Sequence, residues 1–199
     1  MLKILSLLII LNCYSLAWAQ EKILVLGDSL TEGYGLDKES AYPAQLQKIF
    51  DTHKMNYQVV NGGVSGSTTA SGLSRLNWFL KGNPKAVIIA LGANDGLRGI
   101  KLKESKANLE KIILKAKSKN IKVFLAGMQL PPNYGKEYTS EFQKMFEELK
   151  KKHNVFYIPF LLKGVAGKKE LNLEDGIHPN KKGHKIMAKT VYEEIKDLL

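Results

Sequence analysis

Cysteine is nearly absent from this chain of 199 residues: Cys13 is the only one. It lies ahead of the globular part, which therefore has no disulfide, cysteine nucleophile or thiolate metal site. Long apolar runs are missing too. Ile4 to Leu11 falls far short of the roughly 20 residues that a membrane span needs, which argues against an anchor. Acidic residues are the minority, 19 against 30 lysines and arginines, and the net charge is +11. Such an excess suits an anionic partner, either nucleic acid or a lipid headgroup layer. The lysines are not clustered, however. Lys101, Lys103, Lys106, Lys111, Lys115, Lys117 and Lys119 recur on what reads as the polar face of one helix. No aromatic residues interleave them to stack bases. Nucleic acid is therefore not expected, and a transient contact with an anionic lipid surface is left open. No G-x-G-x-x-G follows the first apolar run and no Walker A lysine motif occurs. No nucleotide, and no other cofactor, is expected. Internal repeats and low-complexity tracts are also absent.

What is present begins with a leader. Met1-Leu2-Lys3 supplies a positive start, Ile4 to Leu11 the apolar run, and Ala17-Trp18-Ala19 the small residues that a signal peptidase reads. Residues 1–19 read as a secretory signal cleaved after Ala19, and residues 20–199 as one domain, exported to a periplasm or out of the cell. Lipid attachment at Cys13 is the alternative, disfavoured by Asn12 before it.

Strand and helix signals alternate through that domain. Apolar runs at 22–27, 57–61, 86–91, 121–126 and 155–158 read as strands, the third buried on both faces. Ser40 is the expected cap of a helix carrying Tyr42, Leu46, Ile49 and Phe50, with Pro43 in its first turn. Leu73, Leu76 and Leu80 mark a second helix, and Leu102 to Ala116 a long third. Phe142, Met145, Phe146 and Leu149 mark a fourth, after a proline-rich loop from Gly127 to Tyr138. Met187, Val191, Ile195 and Leu198 mark the last. This alternation predicts an α/β fold, a three-layer α/β/α sandwich on a five-stranded parallel sheet. With strand one central the order is the flavodoxin-like 2-1-3-4-5.

Loops that follow parallel strands open on one edge. That edge would hold Ser29 after strand one, Gly66 after strand two, Asn94 after strand three, and Asp175 with His178 after strand five. A serine hydroxyl needs a base within hydrogen-bond reach. Of the four histidines, His53 and His153 read as solvated surface and His184 lies in the last helix; only His178 sits in a loop at this edge. Asp175, three residues earlier, can turn its carboxylate onto Nδ1 and leave Nε2 for the serine. The Gly66 N–H, the Asn94 amide and the Ser29 N–H can stabilise a developing oxyanion. Singly, each piece has a bland reading: Asn94-Asp95-Gly96 and Asp175-Gly176 are turn signals, Asp28 can bond to nearby backbone N–H groups, and D-x-x-H can be half of a metal site. No second histidine or carboxylate pair has ligand spacing nearby, so no metal is expected.

With these residues in order, the chain resembles the GDSL, or SGNH, hydrolases over nearly the whole mature length. The four blocks are Gly27-Asp28-Ser29-Leu30, Gly66, Gly92-Ala93-Asn94-Asp95 and Asp175-Gly176-Ile177-His178. The resemblance implies Ser29 as nucleophile, Asp175 and His178 as its partners, and Ser29, Gly66 and Asn94 as the oxyanion hole. Within the family the chain is most similar to the periplasmic arylesterase, acyl-CoA thioesterase and lysophospholipase group. The stretches that carry this are Val59-Val60-Asn61, Asn94 to Gly99, Leu130-Pro131-Pro132-Asn133-Tyr134-Gly135 and Asp175 to Asn180. In that group the proline-rich loop is a mobile wall of the acyl site. This makes Leu97, Leu130, Pro131 and Tyr134 the expected substrate-binding residues here. Ser67 stands where that group often has an acid, a departure that bears on a local hydrogen bond or on substrate preference. The expected activity is hydrolysis of acyl esters, thioesters or lysophospholipids through an acyl-enzyme, by a monomer. Deacetylation of a cell-envelope polysaccharide is the alternative chemistry, and a non-catalytic periplasmic binding protein the alternative class.

Overall fold

The computed structural model describes residues 20–199; the leader, its cleavage site and Cys13 lie outside the described residues. The strands are β1 (Glu21–Gly27), β2 (Tyr57–Gly63), β3 (Ala86–Ala90), β4 (Lys122–Ala126) and β5 (Phe156–Ile158). They form one parallel sheet in the order β2-β1-β3-β4-β5, as expected. β3 is buried along its whole length, and Ile23 to Gly27 of β1 are buried as well. Both strands lie inside the sheet with helices over each face, which is why they read as unbroken apolar runs.

The helices are α1 (Ser29–Glu32), α2 (Tyr42–Thr52), α3 (Gly72–Phe79), α4 (Ala93–Leu97), α5 (Leu102–Lys117), α6 (Lys136–His153) and α7 (Lys181–Ile195). From β1 the chain crosses to β2 on one side; from β3 it steps to β4 and β5 on the other. Right-handed crossovers in opposite directions place their helices on opposite faces. Accordingly α2 packs on α7, while α3, α5 and α6 pack in sequence on the other face. On α6 the expected Phe142, Met145, Phe146 and Leu149 are all buried, each side chain worth about 1.5–3 kcal/mol of burial.

Several local expectations are corrected. Ser40 does not cap α2: it ends a short 3₁₀ turn, and its side chain bonds to Asp37. Pro43 in the first turn suits α2, which starts without a side-chain cap. The second strand, expected over 57–61, runs on through Gly62 and Gly63, in register with Leu26 and Gly27. The loop after β4 is shorter than expected, because α6 begins at Lys136 and takes in Tyr138. Leu198 lies beyond α7 and is exposed. His153 is not solvated: its Nε2 lies 2.6 Å from Glu110 Oε1, and its side chain is only 10% exposed. His53 is exposed, as expected, and stacks on Tyr192.

Gly63 has a specific job. A Cβ there would lie 2.1 Å from the Glu32 nitrogen and 2.6 Å from its Cα, so α1 rests directly on the end of β2. Gly63→Ala must push these backbones apart. We expect a loss of about 1–3 kcal/mol, read as a lower urea midpoint at unchanged slope.

Candidate active site

Ser29 opens α1, a single helical turn held at both ends. Asp28 Oδ1 accepts from the Leu30 N–H at 3.1 Å, and the Gly33 N–H returns to the Ser29 carbonyl at 3.0 Å with φ +91°. Only glycine takes that left-handed conformation readily. As the first helical residue, Ser29 has an N–H with no partner inside the turn.

His178 reaches this serine from the loop before α7. Its Nε2 lies 2.9 Å from Ser29 Oγ, and its Nδ1 lies 2.7 Å from Asp175 Oδ2. The other Asp175 oxygen accepts from the N–H groups of Ile177 and His178 at 3.0 and 2.9 Å. Burial pushes the Asp175 carboxyl up, but these N–H bonds and the imidazole outweigh it and hold it below the usual carboxylate range. An ionised carboxylate only accepts, so Nδ1 carries the proton and Nε2 is free to accept from the serine hydroxyl. The loop is pinned on both sides: the Leu173 N–H donates to the His178 carbonyl at 2.7 Å, and Asn180 caps α7. Tyr34 covers the imidazole, ring centres 4.5 Å apart.

The loop after β2 and the start of α4 close the third side. Asn94 Nδ2 donates to the Ser67 carbonyl at 3.0 Å, leaving its second N–H for another acceptor. Arg98 Nη2 donates to Asn94 Oδ1 at 3.4 Å and so selects the way the amide faces. Asp95 is buried and accepts from the Thr69 N–H at 2.9 Å, the Thr69 hydroxyl at 2.6 Å and the Ser105 hydroxyl at 2.9 Å. It thereby ties α4 to the loop that carries Gly66. Glu32 Oε2 accepts from both the N–H and the hydroxyl of Ser65, tying the same loop to α1. Gly66 itself is exposed and sits at φ +75°.

A cavity of about 730 Å³ runs from Ser29 and His178 across the ends of β3, β4 and β5. Leu97, Leu130 and Pro131 line it, together with Met128, Phe160 and Leu162, which sequence reasoning missed. The Tyr134 hydroxyl donates to the Leu97 carbonyl at 3.1 Å and so fastens the loop after β4 to the end of α4. Tyr34, Glu32 and Asp95 were missed as well. The first stands in the glycine-flanked stretch after Ser29, and the last is the final residue of the third block, so both had a weak local signal. Among the described residues no three His, Cys, Asp or Glu side chains gather as metal ligands, and no helix is long and apolar enough to cross a membrane. His184 belongs to the packing: burial pushes it down to about 4, and Nδ1 accepts from the Tyr42 N–H at 3.0 Å.

The sequence model of the GDSL-like lipase/acylhydrolase family matches residues 25–186. The arylesterase of Vibrio mimicus is 38% identical over 98% of both chains. The thioesterase 1/protease 1/lysophospholipase L1 of Escherichia coli K12 is 35% identical over 92% of this chain and 87% of its own length. The crystal structure of the psychrotrophic esterase EstA from a Pseudoalteromonas species, inhibited by monoethylphosphonate, superposes with a TM-score of 0.85 at 35% identity, covering 89% of this chain and 98% of that one.

Asp28 carries a pH signature. Burial pushes it up to about 6, only partly offset by the Leu30 N–H and by the charges of His178 and Arg75. The folded state thus keeps this proton up to about pH 6, whereas an unfolded chain releases it near 3.8. Between those values the native state binds more protons, so this group's contribution to stability falls as pH rises. Asp28→Asn keeps the acceptor and cannot ionise. Its stability relative to wild type should climb from pH 4 to 6 and level off above, by on the order of 3 kcal/mol. Parallel denaturation curves at pH 4, 5, 6 and 7.5 check this; a constant difference would mean that Asp28 ionises normally.

Proposed function

The chain belongs to the GDSL-like lipase/acylhydrolase family and is a carboxylic ester hydrolase, and from that premise we propose that it works through an acyl-enzyme on Ser29. The observation that carries this is the unbroken line from Asp175 Oδ2 through His178 to Ser29 Oγ, at 2.7 and 2.9 Å. His178 takes the hydroxyl proton as Ser29 attacks the carbonyl. Asp175 holds the tautomer and stabilises the imidazolium. The proton then goes to the leaving alcohol or thiol, and water repeats the cycle from the acyl-enzyme. The negative oxygen is received by the N–H groups of Ser29 and Gly66 and the free N–H of Asn94, each such donor worth about 3–4 kcal/mol in the transition state.

The acyl chain occupies the cavity bounded by Leu97, Leu130 and Pro131. Its size and apolar wall favour medium or longer acyl groups over acetyl, and so favour arylester, thioester or lysophospholipid hydrolysis over deacetylation of a polysaccharide. The relatives named for these activities support the same substrates. The protein acts as a monomer exported by the leader, and its excess of cations supports transient contact with anionic lipid.

Ser29→Ala should lower kcat/KM on a nitrophenyl ester by at least about 10⁴-fold with an unchanged circular dichroism spectrum. A fluorophosphonate should label the wild type and not the variant; equal labelling of both would place the nucleophile elsewhere. For export, the mass of the mature protein should correspond to a chain starting at Gln20. An acylated N-terminus at Cys13 would replace cleavage by lipidation.

A further inference from the structure

Arg98 stands at the oxyanion corner without an acid of its own. It follows α4, where its N–H returns to the Asn94 carbonyl at 3.1 Å. Its Nη2 lies 3.4 Å from Asn94 Oδ1, and 3.4 Å from where a Cβ on Gly66 would be. The guanidinium is exposed and takes part in none of the ion pairs among the described residues. The nearest carboxylate in sequence, Asp95, is turned inward onto Thr69 and Ser105. Orienting Asn94 requires one of its five N–H donors and leaves four for another acceptor.

The position relative to the cavity gives this charge a use. The acyl cavity extends from Ser29 and Asn94 over β3, β4 and β5, and neither Gly66 nor Arg98 lines it. Gly66 and Arg98 are both exposed and lie together beside Asn94, outside that lining, so with the acyl chain inside, an alcohol portion leaving on this side meets them. We infer that Arg98 is a specificity-determining residue that receives a phosphate carried by the leaving alcohol. This rests on the ester-hydrolase reading of the site. A guanidinium binds phosphate through paired, charge-assisted N–H bonds. In an acyl glycerophosphate, three carbons and two oxygens separate the carbonyl carbon from phosphorus, a short reach from the oxyanion hole to its rim. In a coenzyme A thioester the first charge lies at the end of a long flexible arm. The selected class is therefore glycerophosphate esters with a single acyl chain.

The test compares kcat/KM on three substrates with one acyl chain, each below its micellar concentration: an acyl lysophosphatidylglycerol, the matching monoacylglycerol and the matching nitrophenyl ester. Arg98→Gln retains a donor for Asn94 but not the charge; Arg98→Lys retains the charge but not the paired geometry. In Arg98→Gln the ratio of phosphate to neutral substrate should fall about tenfold, and Arg98→Lys should recover part of it. Any loss common to all three substrates belongs to Asn94. An unchanged ratio in Arg98→Gln overturns the assignment while wild-type activity on the neutral esters keeps the hydrolase reading. A wild type inactive on all three overturns both.

Discussion

Every strand of the sheet runs the same way, and the site depends on that one constraint. Strands that all point in one direction deliver every following loop to a single edge. Four segments far apart in the chain, at Ser29, Gly66, Asn94 and Asp175–His178, need no further device to reach the same neighbourhood. Because the connections reverse direction beside β1, the loops after β2 and β3 flank the one after β1. What remains is a matter of ångströms, settled by close contacts. Gly63 lets α1 lie on the backbone of β2. Glu32 and Asp95 then hold the Gly66 loop from either side. Asp95 is buried and faces only hydrogen-bond donors there, so removing its carboxylate would orphan the Thr69 and Ser105 groups at once.

Two acids close to the same histidine behave in opposite ways, and their surroundings explain why. Asp28 is adjacent to Ser29 in sequence but buried at the end of β1, with the Leu30 N–H on one oxygen; burial dominates and favours the protonated form. Asp175 lies in a loop reached by solvent and receives two N–H groups and an imidazole, so hydrogen bonding dominates and favours the charge. A charged acceptor is what fixes the imidazole with Nε2 toward Ser29. The reading of Asp28 as a residue bonded to nearby backbone N–H groups agrees with its contact to Leu30, and burial adds a carboxyl pushed up to about 6.

Much of the site was legible because its residues stand at strand ends, and strand ends are marked by apolar runs stopping at polar or glycine residues. The residues that were missed share one trait: their roles depend on contacts between segments, not on their own spacing. Tyr34 is exposed and informative only once His178 is known to lie against it. His153 follows a run of lysines and looks solvated until Glu110 of α5 is brought beside it. Tyr134 was named from its loop, but its hydrogen bond to the Leu97 carbonyl is visible only once α4 lies beside that loop. Gly62-Gly63 looks like a strand stop because glycine usually weakens strands; here it continues one because α1 needs the room.

The sequence by itself determined the alternation of strands and helices, the parallel sheet with its order, and the four segments brought to one edge. All of these follow from short-range apolar periodicity and from the handedness of crossovers, which are local rules. Only the tertiary structure decided how the segments meet: Nε2 at hydrogen-bond distance from the serine, a cavity walled largely by apolar residues on the β3–β5 side, and on the other a guanidinium with no carboxylate partner among the described residues. Those features arise from packing among residues 30 to 150 positions apart, whose distances no local pattern encodes.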